Sequence, residues 1–277
     1  MLGRVTGALT RALLVGLLVA TPALLLPPMA ATTTEIVLLI AILASTLTFI
    51  EYVSTYPSLI EFRDAPPINR LRFASLFSMI FFLTVIFNHA LAPTPLSAAI
   101  EGLGGMVGRA LDFPYSPVHL AMLMVPADTP AEMLTAVRAA AGLALIIALM
   151  TVGLFIVTVR LAGWPTNAGV FNVWINLPLF DPTTGGDVIL RLQRDGRINL
   201  IGGALMPFLI PALVTVGSAI TGPLVVATPH VLIWAFSAWG FLPASMAIRG
   251  IAMLRVAELI EDKRRRAYAS AKDMQAA

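Results

Sequence analysis

Three histidines, one glutamate near a helix end and a scatter of arginines are the side chains in this sequence with chemistry to offer. His89, His119 and His230 lie far apart in the chain, and His119 is followed closely by Met122 and Met124. Imidazole and thioether groups together suit copper, and two histidines on facing helices suit a haem or chlorin ring. No two histidines share a helix at ligand spacing, so the competing reading is three separate imidazoles hydrogen-bonded near headgroups. Glu51 sits beside Tyr52 and Tyr56 in an otherwise apolar stretch. Such a carboxylate either carries a proton or cation, or meets water or an arginine of the next loop. An ion-coupled transporter needs several such groups along a path, and the apolar stretches hold almost none.

Other chemistries are excluded more firmly. The chain has no cysteine, which removes disulfides, thiolate zinc sites, iron–sulfur clusters and covalent haem attachment. Gly185-Gly186 lacks the Lys-Ser/Thr of a phosphate loop, and Gly104-Gly105-Met106-Val107-Gly108 follows no strand. No serine, histidine and aspartate arrangement suggests a hydrolase. The sequence therefore predicts no catalytic residue, no metal site and no cofactor, with the three histidines as the weak candidates.

The elements that hold these residues follow from composition. Of 277 residues, 58% are hydrophobic and 12% charged, and the mean hydropathy is +0.88. A soluble domain carries about 25% charged residues, so this chain has too little polar surface for water. About 20 apolar residues cross the roughly 30 Å of hydrocarbon, and six stretches qualify: 12–30, 35–56, 71–92, 139–159, 201–226 and 229–254. The expectation is an all-α polytopic transmembrane helical bundle with short interfacial helices in its loops. The first stretch, behind Arg4 and Arg11, resembles a signal-peptide core. Cutting after Ala30 or Ala31 puts Pro28 or Met29 where a small residue is wanted, so it reads as an uncleaved span.

Charge sets the orientation. With the N-terminus inside, Arg109 and Arg138 alone of the 18 basic residues fall outside, and the other 16 lie in cytoplasmic loops and helix ends. Both termini are therefore expected in the cytoplasm of a bacterium, at its inner membrane. The net charge of +3 flanks apolar segments and has no aromatic stacking platform, which argues against nucleic acid.

The loops add candidate contacts. In 57–70, Leu59, Ile60, Phe62 and Arg63 form a short amphipathic element, stopped by Pro66 and Pro67. It reads as a docking site or as a turn on the lipid surface. The periplasmic loop 93–129 holds two apolar segments too short to span, 98–111 and 118–125, before a helix start at Thr129-Pro130-Ala131-Glu132. The cytoplasmic loop 163–200 runs through Asn172, Trp174 and Asn176 to a turn at 181–186. Asp187 then caps a juxtamembrane helix, 188–197, bearing Arg191, Arg194 and Arg197. These arginines suit anionic headgroups or an acidic partner. The span region, 1–256, is one domain, and 257–277 is a basic tail. Gly16/Ala20 and Ala144/Ala148 have the spacing of close helix packing. Pro207, Pro211 and Pro243 have no counterparts in the first half, unlike the broken helices of an inverted-repeat transporter.

The function expected is a non-catalytic accessory, scaffold or assembly subunit of a larger inner-membrane complex, with the bilayer and other membrane subunits as partners. The competing reading is the permease subunit of an ATP-driven transporter, with 58–64 or 188–197 as its coupling helix. A third is a metal or tetrapyrrole protein using His89, His119 and His230.

Overall fold

A computed structural model describes residues 2–27, 31–165, 171–180 and 185–276. In chain order its helices are α1 (Leu2–Leu25), α2 (Ala31–Val53), α3 (Ile68–His89), α4 (Pro95–Leu111), α5 (Pro117–Met122), α6 (Ala131–Leu161), α7 (Val173–Asn176), α8 (Val188–Thr221) and α9 (Pro229–Ala276). Among the described residues there is no strand. Six helices, α1, α2, α3, α6, α8 and α9, are long and apolar enough to cross a membrane, as an integral membrane protein requires.

The spans alternate in direction, so both termini emerge at one end of the bundle, here called the terminal end. Arg4 at the start of α1 donates to the Tyr52 carbonyl at the end of α2. Arg264 on the long α9 pairs with Asp187 ahead of α8 at 3.0 Å. In the interior, α6 packs against α3, α4 and α9, while α8 lies along α9 and α1 along α2. Only 11% of the most apolar stretch of α2, and of α8, is buried within the chain. Those faces carry the exposed side chains of Leu38, Leu39, Leu43, Leu205 and Leu213, apolar surface of the kind a bilayer covers.

Several helix bounds differ from the sequence expectation. The segment 188–197 and the fifth span form one helix, because nothing from Arg197 to Ile201 breaks the pattern. That helix stops at Gly222, whose φ of 89° closes its C-terminus. Its first residue is preceded by Asp187, which accepts from the Ile189 amide. Thr129 does not cap α6; Pro130 holds that position without a side-chain bond, and the Thr129 hydroxyl is buried without a partner among the described residues. Thr94 instead forms a full capping box with Ser97 for α4. Of the turn expected at 181–186, residues 181–184 lie outside the described part.

Two devices let the helices approach. At the α4–α6 crossing, a Cβ on Gly142 would sit 2.6 Å from the Gly108 Cα, so neither position has room for a side chain. In α8, Pro211 has no amide to give the Pro207 carbonyl one turn earlier. The indole nitrogen of Trp239 on α9 supplies the missing donor at 3.0 Å. In hydrocarbon that carbonyl has no water to turn to. Trp239→Phe should therefore lower stability by about 1–3 kcal/mol, measured as thermal unfolding in detergent. An unchanged midpoint would mean the carbonyl finds another donor.

Candidate functional site

At the terminal end the loop between α2 and α3, residues 54–67, is bound on three sides. The first is α2 itself. The Glu51 carboxylate accepts the amides of Ser58, Leu59 and Ile60 at 3.0–3.1 Å. Arg63 reaches back to the carbonyls of Glu51 and Ser54 at 2.9 and 2.7 Å. Acid and base thus close the end of α2 in both directions, the carboxylate taking loop amides and the guanidinium taking orphan helix carbonyls. Glu51 is fully engaged by its own loop. The proton-carrier reading of this residue gains nothing from that arrangement.

The second side is α9. Glu61 meets Arg249 in a two-pronged ion pair, with Nε at 2.6 Å and the second nitrogen at 2.8 Å. The third is the segment between α6 and α8. Asn176 accepts the Phe62 amide on its carbonyl at 2.6 Å and the Asp64 amide on its side-chain oxygen at 3.0 Å. The Trp164 indole donates to the Ala65 carbonyl. Phe62 has a φ of 53°, a conformation that bulky residues resist. It is held there by those bonds and by the Trp164 and Phe171 rings around it. A second core results, distinct from the one between the spans. It joins Phe62, Trp164, Leu177, Leu192 and the α9 residues Ile248 to Ala257.

Beside this core lies a cavity of about 720 Å³. Arg11, Leu14 and Val15 of α1, Thr48 and Tyr52 of α2, Asn69 to Phe73 of α3 and Phe241 to Arg249 of α9 contribute to its walls, closed above by the loop. Five arginines line it, Arg11, Arg63, Arg70, Arg72 and Arg249, against the single acid Glu61. Arg72 gives one nitrogen to the Ser245 carbonyl, and its buried Nε has no partner among the described residues.

The sequence candidates divide on this geometry. Leu59, Ile60 and Arg63 line the cavity. Phe62 does not present itself to a partner, because its ring is wholly buried; the amphipathic turn faces its apolar residue into the second core. Arg191 lies over the Phe180 ring at 4.7 Å, Arg194 pairs with Asp195, and Arg197 is exposed. The Trp174 side chain lies outside the described residues. In the residue order Arg72 and Arg249 read as helix-end anchors, Asn176 as a polar residue of the loop with no assigned role, and Glu61 and Asn69 carry no signal. An arginine inside an apolar span was the available signal.

The histidines sit at the opposite end in separate surroundings. His89 contacts Ser97 at 2.7 Å and Glu101 at 3.2 Å. His119 contacts Asp112 at 2.8 Å, and Arg138 donates to the same carboxylate at 2.7 Å. His230 lines a small apolar pocket with Val37 and Trp234. Among the described residues no three His, Asp or Glu side chains converge on a metal position. Met124 is buried in the main core and Met122 packs against it, so neither reaches out as a thioether ligand beside His119.

Comparison with protein-family models, curated proteins and solved structures yields no match.

Two predictions follow from these charges. Glu61→Gln leaves Arg249 and Arg72 without their acid, and losing one partner of a buried pair costs about 3–5 kcal/mol. Arg249 keeps 25% of its side chain exposed, so the loss in thermal unfolding should fall at the lower end. A midpoint within error of wild type would show the pair to be solvated. At the other end, burial raises the Asp112 carboxyl, and the bonds from His119 and Arg138 outweigh it, leaving it below its ordinary 3.8. Its stabilising contribution is present above that ordinary value and is lost as pH falls through the lowered one. Asp112→Asn should flatten the acid limb of the stability profile, and an unaltered limb would refute the assignment.

Proposed function

We propose that this chain is a non-catalytic, multi-pass protein of a bacterial inner membrane, with both termini cytoplasmic, and that it is an accessory or assembly subunit of a larger membrane complex. The orientation rests on charge: 16 of its 18 basic residues belong to the terminal end, and cytoplasmic loops carry such an excess. The observation that carries the subunit reading is the second core. Two loops from different parts of the chain, 54–67 and 171–180, are locked by Asn176 into one rigid platform on that face.

Rigid platforms suit docking, since a partner then meets a preorganised surface and loses less entropy on binding. The rim of this one exposes Tyr56 and Leu190. Two of its acids, Glu51 and Glu61, are engaged in holding the platform together, and a third, Asp64, is exposed beside Arg63. A permease subunit of an ATP-driven transporter is the competing reading. It is favoured by the Glu61–Arg249 pair, which would pass movement of the loop directly to a spanning helix.

The test is a mild-detergent pull-down of the tagged chain from its native membrane, with mass spectrometry of the eluate. A stoichiometric membrane partner is expected, with recovery reduced about tenfold by Leu190→Asp if that residue contributes about 1.4 kcal/mol. A co-purifying ATPase would select the permease. A lone chain would overturn both.

A further inference from the structure

We propose that the arginine-lined cavity at the terminal end binds a phosphate-bearing amphiphile, its phosphate held by Arg72 and Arg249 and its hydrocarbon chain lying along α1 and α9. The first ground is charge. Five arginines against one glutamate line a half-open space between α1, α2, α3 and α9, and one of the five, Arg63, also pairs with Asp64. Charge confined beside hydrocarbon needs a counter-charge, and Glu61 already answers Arg249 through both carboxylate oxygens. The second ground is an unused donor. The Arg72 side chain lines this space, and its Nε, buried beneath the surface, has no partner among the described residues. Buried donors are almost always satisfied, and this one becomes available to an anion when the Arg72 guanidinium turns toward the cavity.

The third ground is the gradient of the walls. On α9 the lining passes from Arg249 through Ser245 to Phe241, eight residues or about 12 Å of helix. Leu14, Val15 and Phe73 continue the apolar part. A free phosphate would use the charged rim and leave this floor in contact with water. The volume, about 720 Å³, falls among small-molecule sites, roughly 300–1,000 Å³, and exceeds what a phosphate needs. Guanidinium groups match phosphate oxygens in a planar fork, and the lipid leaflet is a source of phosphate joined to a chain.

The test uses the full chain, purified in a neutral detergent and followed by thermal unfolding. Dioctanoyl phosphatidate, dioctanoyl phosphatidylcholine and inorganic phosphate are titrated separately. Phosphatidate should raise the midpoint saturably, and phosphatidylcholine and inorganic phosphate should act only at about tenfold or higher concentration. Arg72→Gln should weaken the phosphatidate response at least about tenfold. If that variant does not fold, Arg11→Gln, at an exposed position on the same rim, serves instead with the same expected direction. Arg109→Gln, exposed on α4 at the opposite end, changes net charge equally and should leave the response intact. An equal response to inorganic phosphate would assign the site to a soluble anion and overturn the amphiphile. No saturable response, or equal loss in the Arg109 variant, would overturn the site itself.

Discussion

Hydrocarbon offers no hydrogen bonds, and nearly every polar arrangement in this protein answers that constraint. Spanning helices satisfy their own backbones, so the difficulty moves to the places where they are interrupted or end. Pro211 interrupts α8, and Trp239 of the neighbouring helix supplies the donor that the Pro207 carbonyl lost. Where α2 ends, Arg63 takes the orphan carbonyls and Glu51 takes the amides of the loop that follows. In each case a polar side chain contributes by completing a backbone, and the helix packing depends on its being there.

The same constraint explains why the terminal end is more than a set of loops. A loop at a membrane boundary has water on one side only, so its backbone groups must find protein on the other. Residues 54–67 find it in α2, in α9 and in the segment that contains Trp164 and Asn176. Enough apolar surface is enclosed on the way to make a core around Phe62. The strained backbone of Phe62 fits this account, since surrounding structure must over-determine such a conformation for it to persist. The arginines at the rim of this core line the cavity.

Much of this was legible in the residue order. Apolar length marked the six spans, although α1, α6 and α9 extend well beyond the hydrophobic limits. Charged residues at those ends do not break a helix; they only leave the lipid. Asp187 before Val188 is a cap in sequence and in structure. Thr129 resembled one and is not, because a cap depends on the dihedral angles at one residue and the motif does not fix them. Glu51 stands out in the residue order as an acid in an apolar stretch. Its partners are the Ser58 hydroxyl and three amides of its own loop, and the amides carry no side-chain signature to read.

Sequence alone determined the solvent, since 58% hydrophobic and 12% charged residues leave no way to cover this chain for water. It also determined how many helices are long and apolar enough to cross, because the thickness of hydrocarbon sets the length required. Tertiary structure decided which polar groups meet. Glu61 and Arg249 are 188 positions apart, and Asp64 and Asn176 are 112 apart. Hydrophobic patterning says which face of a helix avoids lipid, but not which neighbour that face will have. In a membrane that choice falls to small-residue contacts such as Gly108 on Gly142 and to buried polar pairs, and both exist only once the helices have come together.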